Sequence, residues 1–390
     1  MLRYWTAGES HGKALLALID GFPAGLTIDE TKINHELHLR QGGYGRGGRQ
    51  KLEQDTVEIL TGVWQSTTLG SPITLQVSNN DYKLERLKEL ERPRPGHADL
   101  TGAMKYLGSI RGVLERSSAR ETAARVAAGA LARQLLSEFG IETIGYVLEI
   151  GELIIGRGKT EGFSVEQLRA LRETSSVYSI DPERDTEMER YIDQMADEGD
   201  TVGGIIEVRV DGLPFGLGTH AQWDRKLDGK LGQAVMAVQA IKGVEIGMGF
   251  EAARTRGSKV HDPIHHDPTQ AHLPNLGYVR PTNNAGGLEG GMTNGQPLIL
   301  RAAKKPISTL RKPLDSIRMQ DKQPHRASYE RSDVCAISAA AIIVEHVVAF
   351  EIACALVDKF GGDSLVEMKA RYDLFQSMAR QHPQPQPSGS

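Results

Sequence analysis

The sequence predicts an α+β fold, and three observations carry that reading. Strand-like alternation recurs in KLEQDTVEILTGV at 51–63, SPITLQVSN at 71–79, IETIGYVLEIGEL at 141–153 and GGIIEVRVDGL at 203–213. Helix-period segments lie between and after them rather than alternating regularly with them. No internal repeat and no Pro/Gly/Ser-rich linker divides the chain, so residues 1–380 are expected to form one domain. The tail at 381–390, QHPQPQPSGS, has nothing apolar to bury and is expected to be disordered.

Taken in order, TIDETKINHELHLR at 27–40 predicts a capped amphipathic helix, followed by the glycine loop GGYGRGG and then strands. SARE at 118–121 predicts a capping box in which Ser118 and Glu121 open a helix running to Gly140, its alanines suited to close packing. The charged stretch from Thr174 to Glu198 predicts an exposed helical excursion. A further helix is expected over Trp223 to Ile241. Ala252 to Asn284, rich in His, Asp, Pro, Asn and Arg, predicts an exposed or mobile loop of the kind that serves as a lid. The apolar run Ile337 to Lys359 contains Glu345, His346, Glu351 and Asp358, which predicts a buried core helix rather than a membrane span.

Composition narrows the function. The 390 residues carry 46 Lys and Arg against 50 Asp and Glu, a formal net charge of -4, whereas coating nucleic acid or an anionic membrane needs a basic excess. The basic residues must therefore act locally. Cys335 and Cys354 have no CxxC spacing, which suggests neither a disulfide framework nor a zinc site and fits a reducing, cytoplasmic setting. The first residues, MLRYWTAGESHGK, contain no apolar stretch of the kind that opens a signal peptide.

The chemistry-bearing residues fall in a few loops. RQGGYGRGGR at 40–49 sets Arg40, Arg46 and Arg49 among glycines, where backbone amides converge and guanidiniums offer forked donors to carboxylate or phosphate. Its GxGxxG follows a helix and precedes a strand, the reverse of the dinucleotide fingerprint. GESHGK at 8–13 lacks the spacing and the hydroxyl of a phosphate loop. Arg92, Arg94 and His97 lie in ERPRPGHAD, and Arg111, Arg116, Arg120 and Arg125 lie on or before the capped helix, together an anion site beside a helix N-terminus. The competing reading makes Arg120, Glu121 and Arg125 an exposed salt-bridged face. His11 and His97, each flanked by small residues, suit accessible acid-base work. His261, His265 and His266 tempt a metal reading, but Pro263 and Pro268 break the helix it would need, so no metal is expected. NNAGGLEGGMTNGQP at 283–297 and KKPIST at 304–309 suit a phosphate or a flat polar ring, and RSDVC at 331–335 sets Arg331 and Asp333 on one side of an extended segment.

GESHG, RQGGYGRGGR, RPGHADLTGAMKY, VLERSSARETAARVAAGA, AVQAIKGVEIG, NNAGGLEGGMTNGQP, KPIST and RSDVC, in that order, resemble the chorismate synthase family, and the likeness continues to KFGGDS at 359–364. The resemblance implies a β-α-β sandwich with internal pseudo-twofold character, assembled as a homotetramer. It implies conversion of 5-enolpyruvylshikimate 3-phosphate to chorismate and phosphate by a 1,4 elimination that needs reduced FMN without net redox change. By resemblance Arg40, Arg46, Arg49, Arg94 and Arg120 grip substrate, and Arg40 and Arg46 are also placed to meet NADPH as a source of reducing equivalents. His11 and His97 form the acid-base pair, and Asp333 accepts a proton by way of the flavin. FMN is held by Arg116, Ser117 and Ser118, by Gln239 and Ala240, by Gly290, by Lys305, Pro306, Ile307, Ser308 and Thr309, and by Arg331. A departure is KYLGSIRGVLER, which lacks an acidic residue expected between the tyrosine and Arg111; the doubled His265 and His266 and the QPQPQP tail lie outside the matching motifs. No flavin-reductase domain is recognisable, so a separate reductase is the expected source of reduced flavin. Two other readings were open from the residues: an RGG-type RNA-binding segment, disfavoured by a single copy and 5% aromatic content, and a phosphate-ester enzyme without flavin.

Overall fold

The computed structural model describes residues 1–47, 54–155, 160, 162–330 and 332–382. Strands β1 (Arg3–Ala7) and β2 (Ala14–Asp20) form an antiparallel hairpin, and α1 (Glu30–Gln41) then crosses to β3 (Val57–Thr61). A small hairpin, β4 (Val63–Trp64) and β5 (Thr67–Thr68), leads to β6 (Ile73–Ser78). The first sheet has the order β1-β2-β6-β3, antiparallel throughout. Apolar residues alternate along β2 and β6, so Leu15, Ala17, Ile19, Ile73, Leu75 and Val77 all face inward and are buried.

Helices α2 (Asp99–Tyr106), α3 (Ile110–Ser117) and α4 (Thr122–Ser137) follow, and β7 (Glu142–Ile150) with β8 (Leu153–Ile154) opens the second sheet. Helices α5 (Val165–Thr174) and α6 (Asp185–Glu198) precede β9 (Gly204–Asp211), and α7 (Leu227–Met236) precedes β10 (Ile241–Ile246). The 250s and 260s hold a short helix, α8 (Gly257–Val260), and β11 (His265–His266) pairs with β12 (Tyr278–Val279). A hairpin of β13 (Leu288–Glu289) and β14 (Met292–Thr293), the long β15 (Leu298–Lys304), and a hairpin of β16 (Asp315–Ile317) and β17 (Pro324–Arg326) lead to the closing helices α9 (Ile337–Phe360) and α10 (Leu365–Arg380). The second sheet runs β10-β15-β9-β7-β8.

Between the two sheets lie α4 and α9, with α1 alongside: α4 packs on β2 and β6, and α9 packs on β7, β9 and β15. This is the β-α-β layering that the resemblance implies. Because α9 is enclosed on every side it is apolar all round, and even Glu345 and His346 have no exposed surface. It is long and apolar enough to cross a membrane, but 94% of that apolar window is buried within the fold. Its polar groups find partners inside: Glu345 accepts from Arg172 at 2.7 Å, from Arg133 at 3.1 Å and from the Gly145 amide at 2.9 Å. The alanine-rich face of α4 allows its backbone to approach α9 closely. A Cβ at Gly129 would stand 2.3 Å from the His346 carbonyl oxygen.

Several local expectations change. Ser118 and Glu121 do not form a capping box: Ser118 Oγ accepts from Arg120 N in a 3-10 turn, Ala119–Glu121, and the Glu121 carboxylate turns to Thr6, Arg125 and Gln239. Those stronger partners win because Glu121 is buried, where a carboxylate needs charged and hydroxyl donors. For the same reason Arg120, Glu121 and Arg125 are not an exposed face; Arg120 and Glu121 are 7% and 4% exposed. The helix expected over Trp223 to Ile241 stops at Met236, since Ala240 takes a left-handed φ of 68° and Ile241 enters β10. The stretch from Thr174 to Glu198 is less exposed than its charge suggests, because Met188 and Ile192 anchor α6 in the core. The 252–284 segment is largely exposed but carries its own bonding, with Asp262 accepting from Thr282 and from the amides of Asn284 and Ala285. Of the expected disordered tail, 383–390 lie outside the described residues.

Candidate active site

Strand register brings the predicted residues to one region. Ala14 pairs with Ser78 and Val57 with Val77, so the 8–13 turn, the residues after β6 and those before β3 share one end of the first sheet. In the second sheet Lys304 lies opposite both Gly204 and Ile241. KKPIST and Gln239–Ala240 therefore meet at one end of that sheet. The two ends are joined by the Glu121 carboxylate, which accepts from Gln239 Nε2 at 3.1 Å.

At the first sheet, His11 N–H and Nδ1 both face Glu115, at 2.8 Å and 3.0 Å. A carboxylate only accepts, so Nδ1 carries the hydrogen, and Nε2 on the other side of the ring lies 3.8 Å from Asp81 Oδ2. Burial pushes the Glu115 carboxyl up, but the bonds from His11 outweigh it and hold the carboxyl below its usual range. Beside this pair, Asp55 accepts from Arg40 Nη2 at 2.5 Å and from Arg120 Nη1 at 2.7 Å. Arg120 Nε donates to Asn79 Oδ1, and Asn79 Nδ2 donates to the Glu9 and Gly12 carbonyls, which shapes the turn carrying His11.

The loop with His97 docks on KKPIST. Arg94 donates to Thr309 Oγ1 at 3.0 Å, and Lys305 Nζ donates to the Gly96 carbonyl at 2.7 Å. His97 Nδ1 donates to Asp99 Oδ1 at 2.5 Å, while Asp99 Oδ2 accepts from the Arg94 backbone and Nε. Burial opposes the Asp99 charge, yet His97 and Arg94 hold that carboxyl far below its ordinary range.

The glycine loop closes the third side. Gly43 and Gly45 have φ of 92° and 81°, and a Cβ at either would collide with Ser338 or with Ile192 and Cys335. Arg46 Nη1 pairs with Asp333 Oδ2 at 3.0 Å, and the Gly47 amide donates to Asp333 Oδ1 at 2.6 Å. Nearby, Lys304 is 9% exposed and its Nζ has no hydrogen-bond partner among the described residues; burial pulls it down to about 8 with Cys335, Arg46, Asp333 and Lys305 all acting on it.

Among the residues expected to hold FMN, Arg116 donates to the Thr6 and Gly8 carbonyls, and the Ser117 and Ser118 hydroxyls take part in the local turn. The Ala240 carbonyl accepts from Lys305 N, Ile307 O accepts from Thr201 Oγ1, and Pro306 and Ser308 lie between them in the same segment. Gly290 turns the β13–β14 hairpin beside His220 and, among the described residues, shares no hydrogen bond with this cluster. Arg49 and Arg331 lie outside the described residues. The structure thus sets the predicted residues in three bonded groups, Arg40 and Arg120 with the turn that bears His11, Arg94 with His97, and Arg46 with Asp333, with Arg46 close enough to act electrostatically on both Arg40 and Lys304. It adds Asp55, Asn79, Glu115, Asp99 and Lys304, which sequence reasoning did not assign. Asp99 and Lys304 fell inside motifs already singled out, but nothing marked Asp55 beyond its place before a strand.

The family model described as chorismate synthase matches residues 2–357. A chorismate synthase of Geobacter metallireducens is 54% identical over 387 residues, covering 96% of this chain and 98% of the relative. One from Desulforamulus reducens is 52% identical, covering 98% of this chain and all of the relative. A crystal structure of chorismate synthase superposes with a TM-score of 0.80 at 40% identity, covering 97% of this chain and 98% of the other. With the motifs in order, the layers matched and both chains covered nearly end to end, the chain belongs to the chorismate synthase family.

Proposed function

We propose that this enzyme converts 5-enolpyruvylshikimate 3-phosphate to chorismate and phosphate in a reaction dependent on reduced FMN. The observation that carries the reading is the convergence of Arg40, Arg46, Arg94 and Arg120 with two histidines, each histidine held at Nδ1 by a buried carboxylate. A substrate with two carboxylates and a phosphate needs several forked cationic donors, and departing phosphate needs positive charge where it leaves.

The residues present also fit a flavin mononucleotide. Arg116 and Lys305 supply cationic donors for its phosphate, and Gln239 has a buried amide oxygen, without a partner among the described residues, that suits a ring N–H. Ala240, in the left-handed region, and the 305–309 segment offer backbone groups. Gly290, Ser117, Ser118 and Arg331 complete the proposed set on the motif likeness. Reduced FMN, when bound, supplies electron density that eases loss of the allylic phosphate.

This chain's own residues handle the protons. In the elimination the C6–H and the C3–O bond to phosphate break and a ring double bond forms. His11 Nε2 is proposed to hold the proton that keeps the leaving phosphate in its favoured protonation state, with Glu115 fixing the opposite nitrogen. His97 serves as the second proton donor, oriented by Asp99. Asp333 Oδ2 takes up the proton released from the ring once Arg46 turns from it to the substrate. A homotetramer, a separate flavin reductase, NADPH as the ultimate reductant, Arg49 as a further substrate ligand and a cytoplasmic location belong to the same proposal.

The test is an anaerobic assay with 5-enolpyruvylshikimate 3-phosphate and photoreduced FMN, following chorismate absorbance and released phosphate. Product with reduced but not oxidised FMN is expected. Binding without product under reduced flavin would sink the flavin reading and favour another phosphate-ester chemistry on the same arginines.

A further inference from the structure

Arg40 and Arg120 reach the site from different elements, the last turn of α1 and the turn before α4, and both are buried with side chains only 4% and 5% exposed. Between them sits one carboxylate with no exposed side-chain surface. Asp55 binds Arg40 through Oδ2 and Arg120 through both oxygens, and its own amide is held by Gln41 Oε1 at 3.1 Å. Two guanidiniums against one carboxylate leave a net charge of +1. Burial raises the Asp55 carboxyl, but Arg40 and Arg120 outweigh it and hold the group below its ordinary range, so it is ionised when substrate arrives. The Arg40 Nε is buried without a partner among the described residues. Asn79 extends the arrangement, linking Arg120 Nε to the carbonyls of the turn that bears His11.

We infer that Asp55 is a positioning residue for substrate recognition, locking the Arg40 and Arg120 guanidiniums in one geometry before the anion binds, with Asn79 tying that geometry to His11. This rests on the proposed function, in which those arginines meet a substrate anion. The physical reason is that a free arginine must lose rotamer freedom on binding, and a buried carboxylate removes that loss in advance.

The inference separates from simple charge. Asp55→Asn raises the local charge to +2, so if Asp55 only offsets charge, the variant binds the anionic substrate more tightly. If Asp55 positions the arginines, binding weakens despite the added charge. Loss of charge-assisted bonds of this kind predicts a dissociation constant about ten- to hundredfold higher.

Calorimetric titration of 5-enolpyruvylshikimate 3-phosphate into wild type and Asp55→Asn, without reduced flavin so that no turnover occurs, reads this directly. Steady-state assays should then show KM rising more than kcat falls. Equal or tighter binding by Asp55→Asn overturns the inference. Should that variant fail to fold by circular dichroism, Asp55→Glu decides, since it keeps the charge and displaces the carboxylate by one methylene: weaker binding supports positioning, and wild-type affinity overturns it. If wild type itself neither binds nor turns over the substrate, the proposed function fails and takes this inference with it; an active wild type beside an unimpaired Asp55→Asn fails the inference alone.

Discussion

Glu115→Gln is the sharpest probe of how His11 works. The carboxylate accepts from the His11 amide at 2.8 Å and from Nδ1 at 3.0 Å, and its side chain is 2% exposed. Glutamine has the same shape but only one accepting oxygen. It can satisfy the amide or Nδ1, and its NH2 must then face the other donor. At least one bond to a charged group is lost, a cost of about 1.5–3 kcal/mol. If the imidazole must be held in the transition state, that is about ten- to hundredfold in turnover. The turn itself stays docked, because Ser10 N donates to the Glu115 backbone carbonyl, which the substitution leaves in place. The assay is anaerobic chorismate formation with reduced FMN at saturating substrate, paired with thermal melts to show an intact fold. Turnover within twofold of wild type, with the fold intact, would refute the dependence of His11 on Glu115.

Asp333→Asn should leave substrate binding within a few-fold of wild type and cut turnover at least about a hundredfold, in line with loss of a positioned proton acceptor; unchanged turnover in the anaerobic assay removes Asp333 from the chemistry. Lys304→Met should stabilise the protein, since a buried ammonium pulled down to about 8 from 10.5 costs about 3 kcal/mol at pH 7. Here the unfolded chain binds the extra proton, so wild-type stability rises as pH climbs from about 8 towards 10.5 and the advantage of methionine fades; urea melts at pH 7 and pH 10 showing no difference would contradict this. Glu345→Gln should cost about 3–5 kcal/mol, because it removes the carboxylate that meets the fully buried Arg172 guanidinium at 2.7 Å, while Arg133 keeps its pair with Glu36, whereas Arg172→Met combined with Glu345→Leu should cost less than the sum of its parts. Additive urea-unfolding losses across that cycle would show that the groups do not act together.

Elements whose signal is local were legible in the sequence. The strands at Ile73–Ser78 and Gly204–Asp211 announce themselves by alternation, and α9 by a long apolar run carrying Glu345, His346, Glu351 and Asp358. What stayed hidden depends on partners far along the chain. Ser118 and Glu121 have capping-box spacing, but Thr6 and Gln239, brought in by other strands, claim the carboxylate. Asp55 reads as an ordinary polar residue before a strand until Arg40 and Arg120 arrive from two helical ends. The arginines were visible because their loops are glycine-rich; the acids that hold them were not, because an acid in a soluble chain is unremarkable until burial makes it costly.

Those acids also bear on how a protein of net charge -4 would sustain the proposed anion site. Each arginine drawn into the site is paired in the ligand-free chain: Arg40 and Arg120 with Asp55, Arg46 with Asp333, Arg94 with Asp99. Pairing lowers the raw field and so, taken alone, weakens attraction of a polyanion. Burial offsets this, because the surviving positive charge acts where water screens it least. The pairs differ in what they permit. Asp55 and Asp99 are fully enclosed and each is gripped by more than one side-chain donor, so neither can release its arginine without leaving a buried charge poorly paired. Asp333 is 17% exposed and holds one guanidinium and one backbone amide. It is the carboxylate whose arginine can be drawn away by a competing anion at least cost, and in the proposed mechanism the release of Arg46 to substrate is the event that would free Asp333 Oδ2 to accept a proton. On that proposal, substrate binding and the readiness of the base are coupled through one ion pair.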